Sequence, residues 1–219
     1  MFMAFKKLNF KKINHRDMIQ KSKSFLLESA KRRSVRQFSK KKFPISIIKN
    51  AIKAALTAPS GANKQPWHFV LVENKKVKKK IRVAAEKEEK EFYSHRAPDD
   101  WLKDLNQFGT DWKKPFLEEA PYLIIVFKEI YDLNGIKKKK NYYVNESVGI
   151  SCGFLIMALH NSGLVCLPHT PSPMGFLEKV LKRPKNERAY LLIPVGFPSE
   201  KTRVPKLDKK EFNKVCSIK

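Results

Sequence analysis

Arg32-Arg33-Ser34-Val35-Arg36 and, one helix length later, Ala58-Pro59-Ser60-Gly61-Ala62-Asn63-Lys64-Gln65-Pro66-Trp67 are the two stretches that decide how this chain reads. The first sets guanidinium groups beside a hydroxyl, a combination that can hold a phosphate through forked, charge-assisted hydrogen bonds. Read alone, it serves equally well as a solvated basic patch. The second is a loop of small residues whose backbone N–H groups can approach a flat ligand closely. Between them, Phe43-Pro44-Ile45-Ser46 predicts the start of a helix capped by Ser46, with Ile48, Ile52, Ala55 and Leu56 on one face. Pro59 and Gly61 end it.

Outward from these stretches, strands are predicted at His68–Val72, Tyr122–Phe127, Leu164–Leu167 and Tyr190–Val195, all apolar runs. Helices are predicted at Ser22–Lys31, from Lys76 to about Arg96, at Val144–His160 and at Phe176–Leu181. Asn161-Ser162-Gly163 stops the third of these. Gly149 and Gly153, four apart, suit close packing of that helix against another. Asp132–Asn141 reads as a Lys-rich loop, and Trp101–Trp112 gives no clear element. Residues 1–20 read as a basic, irregular arm and 21–219 as a single domain. Strands separated by helices, without repeats or a linker, imply an α+β or α/β class.

The chain has 219 residues, enough for a substantial core without disulfides. Its three cysteines, Cys152, Cys166 and Cys216, show no metal-ligand or CxxC spacing, so the expectation is reduced thiols and no metal. Forty-six basic against 21 acidic residues give a formal charge of +25. That charge suits a polyanion, yet the lysines are spread along the whole length with no nucleic-acid-binding signature, so no specific nucleic acid is expected. No apolar stretch approaches the roughly 20 residues that span a bilayer. The N-terminus lacks the apolar core of a signal peptide. A cytoplasmic protein without a membrane partner is the expectation.

In their order, the arginine run and the small-residue loop resemble the flavin-binding segments of the FMN-dependent nitroreductase superfamily. Further residues narrow the resemblance to iodotyrosine deiodinase and its soluble homologues. They include Tyr142-Tyr143, Gly163-Leu164, Arg183-Pro184 with Glu187, and Val195-Gly196-Phe197-Pro198. The resemblance runs from about Arg32 to Lys210. It implies an α+β, nitroreductase-like three-layer α/β/α sandwich with a mixed, mainly antiparallel sheet, assembled as an intertwined homodimer. It implies FMN held by Arg32, Arg33, Ser34, Val35 and Arg36, by Ser60 and Gly61 from the other subunit, and by Pro168, His169 and Thr170 at the ring edge. Thr170 matches the threonine whose hydroxyl faces flavin N5 and favours one-electron steps. Two departures stand out. Pro168 and His169 replace two threonines of the family, and Lys209 replaces an arginine near the phosphate, keeping charge but losing the fork. His169 reads either as a structural histidine or as a proton donor near the flavin.

The segment 86–115 carries the specificity. Without the resemblance it reads as a charged, solvent-facing helix and loop. In the deiodinase family a Glu, a Tyr four residues on and a Lys 21 further form a substrate lid, and Glu89, Tyr93 and Lys114 reproduce both spacings. Such a lid suits an amino-acid zwitterion: Glu89 accepts from the ammonium, while Lys114 and Tyr93 hold the carboxylate. The backbone N–H of Ala62 is placed at the phenolate. The function implied is FMN-dependent reductive dehalogenation of a halotyrosine, with electrons from an external NAD(P)H-linked reductant. The alternative on the same fold is a general NAD(P)H-dependent nitro- or quinone reductase.

Overall fold

The computed structural model describes residues 5–133 and 138–219. The first four residues of the predicted arm and 134–137 of the Lys-rich loop lie outside that description. The described chain forms two units, Met1–Arg32 and Arg33–Lys219. The first unit contains helix α1, His15–Lys31, none of whose residues is buried. α1 begins seven residues before the predicted Ser22 because Asn14 caps it, accepting from the Asp17 N–H at 2.9 Å. That capping signal was passed over among the surrounding basic residues.

In the second unit, α2 (Ile45–Ala55) starts at Pro44, whose φ of −58° suits a helix entry. No side chain caps it, so Ser46 lies in its first turn and is not the predicted cap. The remaining helices are α3 (Lys75–Glu91), α4 (Asp99–Asn106), α5 (Phe116–Glu119), α6 (Val144–Asn161) and α7 (Gly175–Val180). β1 (Trp67–Val72), β2 (Tyr122–Glu129), β5 (Val165–Cys166) and β6 (Glu187–Gly196) form one sheet in the order β1-β2-β6-β5. β3 (Tyr131–Asp132) and β4 (Lys139–Lys140) make a small ribbon at the ends of the predicted Lys-rich loop. All strand neighbours in the sheet are antiparallel; the parallel element is an isolated bridge between Ser34 and Cys166.

β2 explains the layering. Tyr122, Ile124 and Val126 face a core with α2 and α6, including Ile48, Ala51, Leu155 and Leu159. Leu123, Ile125 and Phe127 face a second core with α3, α5 and α7, including Ile81, Leu117 and Leu177. A strand buried on both faces must be apolar at consecutive positions, as this one is. Each such side chain taken fully from water contributes roughly 1.5–3 kcal/mol. Gly149 of α6 lies against a strand and not a helix: a Cβ there would stand 3.1 Å from the Tyr190 hydroxyl. Gly153 has nothing within 4 Å of that position.

One buried ion pair sits at the start of β6. Arg183 Nε and Nη2 donate to the two oxygens of Glu187 at 2.7 and 2.6 Å, and the Glu187 side chain is 3% exposed. His68 and Glu129 bring further ligand-type atoms close to Glu187. The fork nevertheless commits both Glu187 oxygens to Arg183. Arg183→Met removes the fork and strands a buried carboxylate. The expected outcome in urea unfolding is a loss of about 3 kcal/mol; an unchanged midpoint would show that the pair is not structural.

Candidate functional site

A cavity of about 480 Å³ lies where the end of α3, α4, the loop to α5 and the segment after β5 converge. Of the residues singled out in the sequence, Arg36, Glu89, Tyr93, Lys114, Pro168, His169 and Thr170 line it. The fold thus brings Arg36 of the arginine run, the segment expected to form a lid and the post-β5 segment to one place. Other predicted residues lie outside that lining. Arg32 is the C-cap of α1 in the first unit. Arg33 donates from its guanidinium to the Pro205 carbonyl. Ser34 bridges to Cys166, Val35 is a core residue, and Lys209 is exposed in the tail.

The segment expected to form a lid is positioned by α3. Glu89 occupies its last full turn, and after Glu91 the helix widens into a π-turn over Phe92–Arg96 that carries Tyr93. Phe92 packs edge-on against Tyr93 and Trp101, so the aromatic residues clamp the widened turn to α4. The loop to α5 is tied back to α3: the Lys114 N–H donates to Glu86 Oε1 at 2.7 Å, and Arg82 donates to the same oxygen at 2.8 Å.

Inside, Lys114 Nζ lies 3.1 Å from Glu89 Oε2, with both side chains about nine-tenths buried. Lys114 Nζ also donates to Thr110 Oγ1 at 3.4 Å and to the Asp111 carbonyl, and it sits 5.4 Å above the Tyr93 ring. The Tyr93 hydroxyl donates to the Thr110 carbonyl at 3.4 Å. Burial pushes the Glu89 carboxyl upward and Lys114 opposes it. Burial likewise pushes the Tyr93 phenol up and the Arg36 guanidinium down.

His169 is held by the sheet. Its N–H and C=O bond to Leu192 of β6 at 2.9 and 3.0 Å, and its ring stands edge-on to Phe116. Nε2 is buried without a hydrogen-bond partner, 3.8 Å from Glu89 Oε1. Burial, with Lys114 and Arg36 nearby, lowers its pKa to about 3, so the ring is neutral. Thr170, next along, is exposed to the cavity.

The small-residue loop is built differently. Ala62, Asn63 and Gln65 all have φ near +50°, a region costly for side-chain-bearing residues. The loop is pinned by Gln65 N–H to Ser60 Oγ at 2.9 Å and Gly61 N–H to Ser147 Oγ at 3.3 Å. At Gly61 a Cβ would fall 2.7 Å from the Tyr143 ring, so only glycine fits unless Tyr143 moves. Ala62 is exposed on this loop. Phe116 and Met174 also line the cavity and had no sequence signal, being apolar residues without periodicity.

The chain is similar to proteins of known family. Residues 30–197 match the nitroreductase family. The chain is 56% identical to the iodotyrosine deiodinase of Haliscomenobacter hydrossis, covering 89% of this chain and 88% of that one. It is 42% identical to human iodotyrosine deiodinase 1, over 91% of this chain and 70% of that one. A crystal structure of oxidized iodotyrosine deiodinase bound to FMN and 3-iodo-L-tyrosine superposes with a TM-score of 0.75 at 36% identity, covering 85% of this chain and 95% of that one.

Neutral burial of His169 has a pH consequence. Its folded pKa is depressed from 6.5 to about 3, so below pH 6.5 the unfolded chain binds a proton that the folded chain refuses. Stability contributed at this site therefore falls as pH falls. Glu89, raised in the fold, acts in the opposite sense at lower pH. The difference between wild type and His169→Phe isolates the histidine. Wild type is expected to lose about 2 kcal/mol more than the variant between pH 7 and pH 5, measured by urea unfolding. Equal losses would show that the ring accepts a proton in the fold.

Proposed function

The chain belongs to the nitroreductase family, and from that premise we propose that it is an FMN-dependent iodotyrosine deiodinase, releasing tyrosine and halide from a halotyrosine. The observation that carries the reading is the Glu89–Lys114 pair inside the cavity. A carboxylate and an ammonium 3.1 Å apart form a receptor whose two ends match the ammonium and carboxylate of a free amino acid. A zwitterion exchanges the one internal pair for two. Glu89 then accepts from the ligand ammonium, and Lys114, with the Tyr93 hydroxyl, holds the ligand carboxylate. A closed lid excludes water and strengthens each contact.

The residues present fit FMN. Arg36 lines the same cavity as Thr170 and Pro168, and Arg33 and Ser34 lie close to Arg36 in the chain. Arg33, Ser34, Val35 and Arg36 would hold its phosphate and ribityl chain, helped by Lys209; Ser60, Gly61 and the 168–170 segment would hold its ring. FMN, when bound and reduced, supplies the electrons that expel the halide. The chain's own residues do the rest: Ala62 offers its N–H to the phenolate, Thr170 holds a hydroxyl at the ring edge, and the lid orients the substrate.

We propose further that the working unit is a homodimer. α6 is apolar nearly all round, and Ile150 and Phe154 remain 43% and 44% exposed on its outer side, as suits a face covered by a second copy. An NAD(P)H-linked reductant would recharge the flavin. No helix among the described residues is long and apolar enough to cross a membrane. A cytoplasmic site of action suits Cys152 and Cys216, which form no disulfide among the described residues.

The test is a flavin-fluorescence titration with 3-iodotyrosine and with its des-amino analogue. Saturable quenching by the amino acid, much weaker for the analogue, supports the reading; equal quenching, or none, moves the assignment to a general reductase. Glu89→Gln and Lys114→Met should each weaken 3-iodotyrosine about 100-fold while FMN stays bound, because each removes a buried charge-assisted contact. An unchanged dissociation constant would exclude that residue from the lid. Thr170→Ala should lower deiodination turnover about tenfold or more with little change in 3-iodotyrosine affinity; undiminished turnover would remove Thr170 from the chemistry.

A further inference from the structure

The ion pair that reads the zwitterion has a third neighbour, the His169 ring, to which the deiodinase reading gives a place at the flavin edge but no part in reading the substrate. Glu89 Oε2 is taken by Lys114, while Oε1 faces His169 Nε2 at 3.8 Å. That nitrogen is buried and has no hydrogen-bond partner among the described residues. A buried polar atom left unpaired carries a desolvation cost unless another state of the molecule satisfies it. His169 cannot move far to find a partner. Both its backbone groups are bonded to Leu192 on the rigid sheet, and its ring is set against Phe116. Glu89, at the end of α3 beside the π-turn, is the partner that can move.

We propose that His169 is a positioning residue for Glu89, the Nε2–H of a neutral imidazole donating to Glu89 Oε1 when substrate occupies the lid. This rests on the deiodinase reading for its ligand. When the substrate carboxylate draws Lys114 away, Glu89 loses its cation. A shift of about 1 Å brings Oε1 within hydrogen-bonding range of Nε2. The fixed histidine then keeps Glu89 in the cavity with Oε2 aimed at the substrate ammonium, instead of letting it follow Lys114. A neutral donor suits this role, since it holds the carboxylate without competing, as a second cation would, for its charge. The residue thereby selects for the ammonium end of the ligand and leaves the carboxylate end to Lys114 and Tyr93.

The experiment has two arms, both on the oxidised FMN-loaded protein. Long-range nitrogen–proton NMR spectra read the protonation of His169 without any ligand. The expected result is a neutral ring at pH 7 with its proton on Nε2, and a shift of that signal in Glu89→Gln. A proton on Nδ1, a charged ring, or a signal blind to Glu89→Gln overturns the proposal. The second arm compares 3-iodotyrosine with its des-amino analogue. His169→Phe should weaken 3-iodotyrosine about tenfold and leave the analogue unchanged, whereas His169→Gln, which keeps a donor, should restore most of the loss. Equal losses for both ligands, or no loss, overturn it. A wild type that binds neither ligand removes the deiodinase reading, and the spectra still decide the His169–Glu89 contact.

Discussion

The antiparallel pairing of β2 with β6, apolar on both sides, is the constraint on which everything else in the second unit depends. It forces helices onto both faces, because a sheet cannot leave either row of Leu, Ile and Val in water. α2 and α6 cover one face, α3, α5 and α7 the other. The same pairing fixes the site. β6 holds His169 through Leu192, and β5 adds to the β6 edge, so the segment from Leu167 to Thr170 leaves the sheet at a fixed height. α3, seated on the opposite core through Ile81 and Ala85, brings Glu89 to meet it.

The site then combines one rigid wall with one adjustable wall. The post-β5 segment is anchored backbone to backbone. The lid is held by side chains: the Glu89–Lys114 pair, the Glu86 bridge from Arg82 to the Lys114 N–H, and the edge-on aromatic contacts of Phe92. A ligand that offers equivalent charges can exchange with the buried Glu89–Lys114 pair. In the proposed role, selectivity for a zwitterion would arise because the exchange is even only when both ends of the ligand are charged. A neutral aromatic would have to break a buried ion pair and offer nothing in return.

Much of this was legible in the sequence, for identifiable reasons. β2, β6, α2 and α6 announced themselves because burial on one or two faces writes a period into the chain. Glu89, Tyr93 and Lys114 stood out only through the spacing they share with the deiodinase family, because the segment by itself reads as a charged, solvent-facing helix and loop. What escaped was set by short or three-dimensional causes. The Asn14 cap of α1 is a single side chain in a basic stretch. Ser46 looked like a cap, but Pro44 alone starts α2. α4 is eight residues long without a side-chain cap, so Trp101–Trp112 gave too little period to read. Phe116 and Met174 reach the cavity through tertiary packing, which no local pattern records.

The loop at Ala62–Gln65 carries its distortion whether or not anything is bound. Its left-handed residues are held by Ser60 and Ser147, so the direction of the Ala62 N–H is set when the chain folds. The cost of aiming that dipole is therefore met by the cores that stabilise the fold and is absent from the binding step. In the proposed role of Ala62, a surface that would otherwise have to become ordered around each substrate would already be in its final shape, and turnover would repeat without the loop being refolded each time.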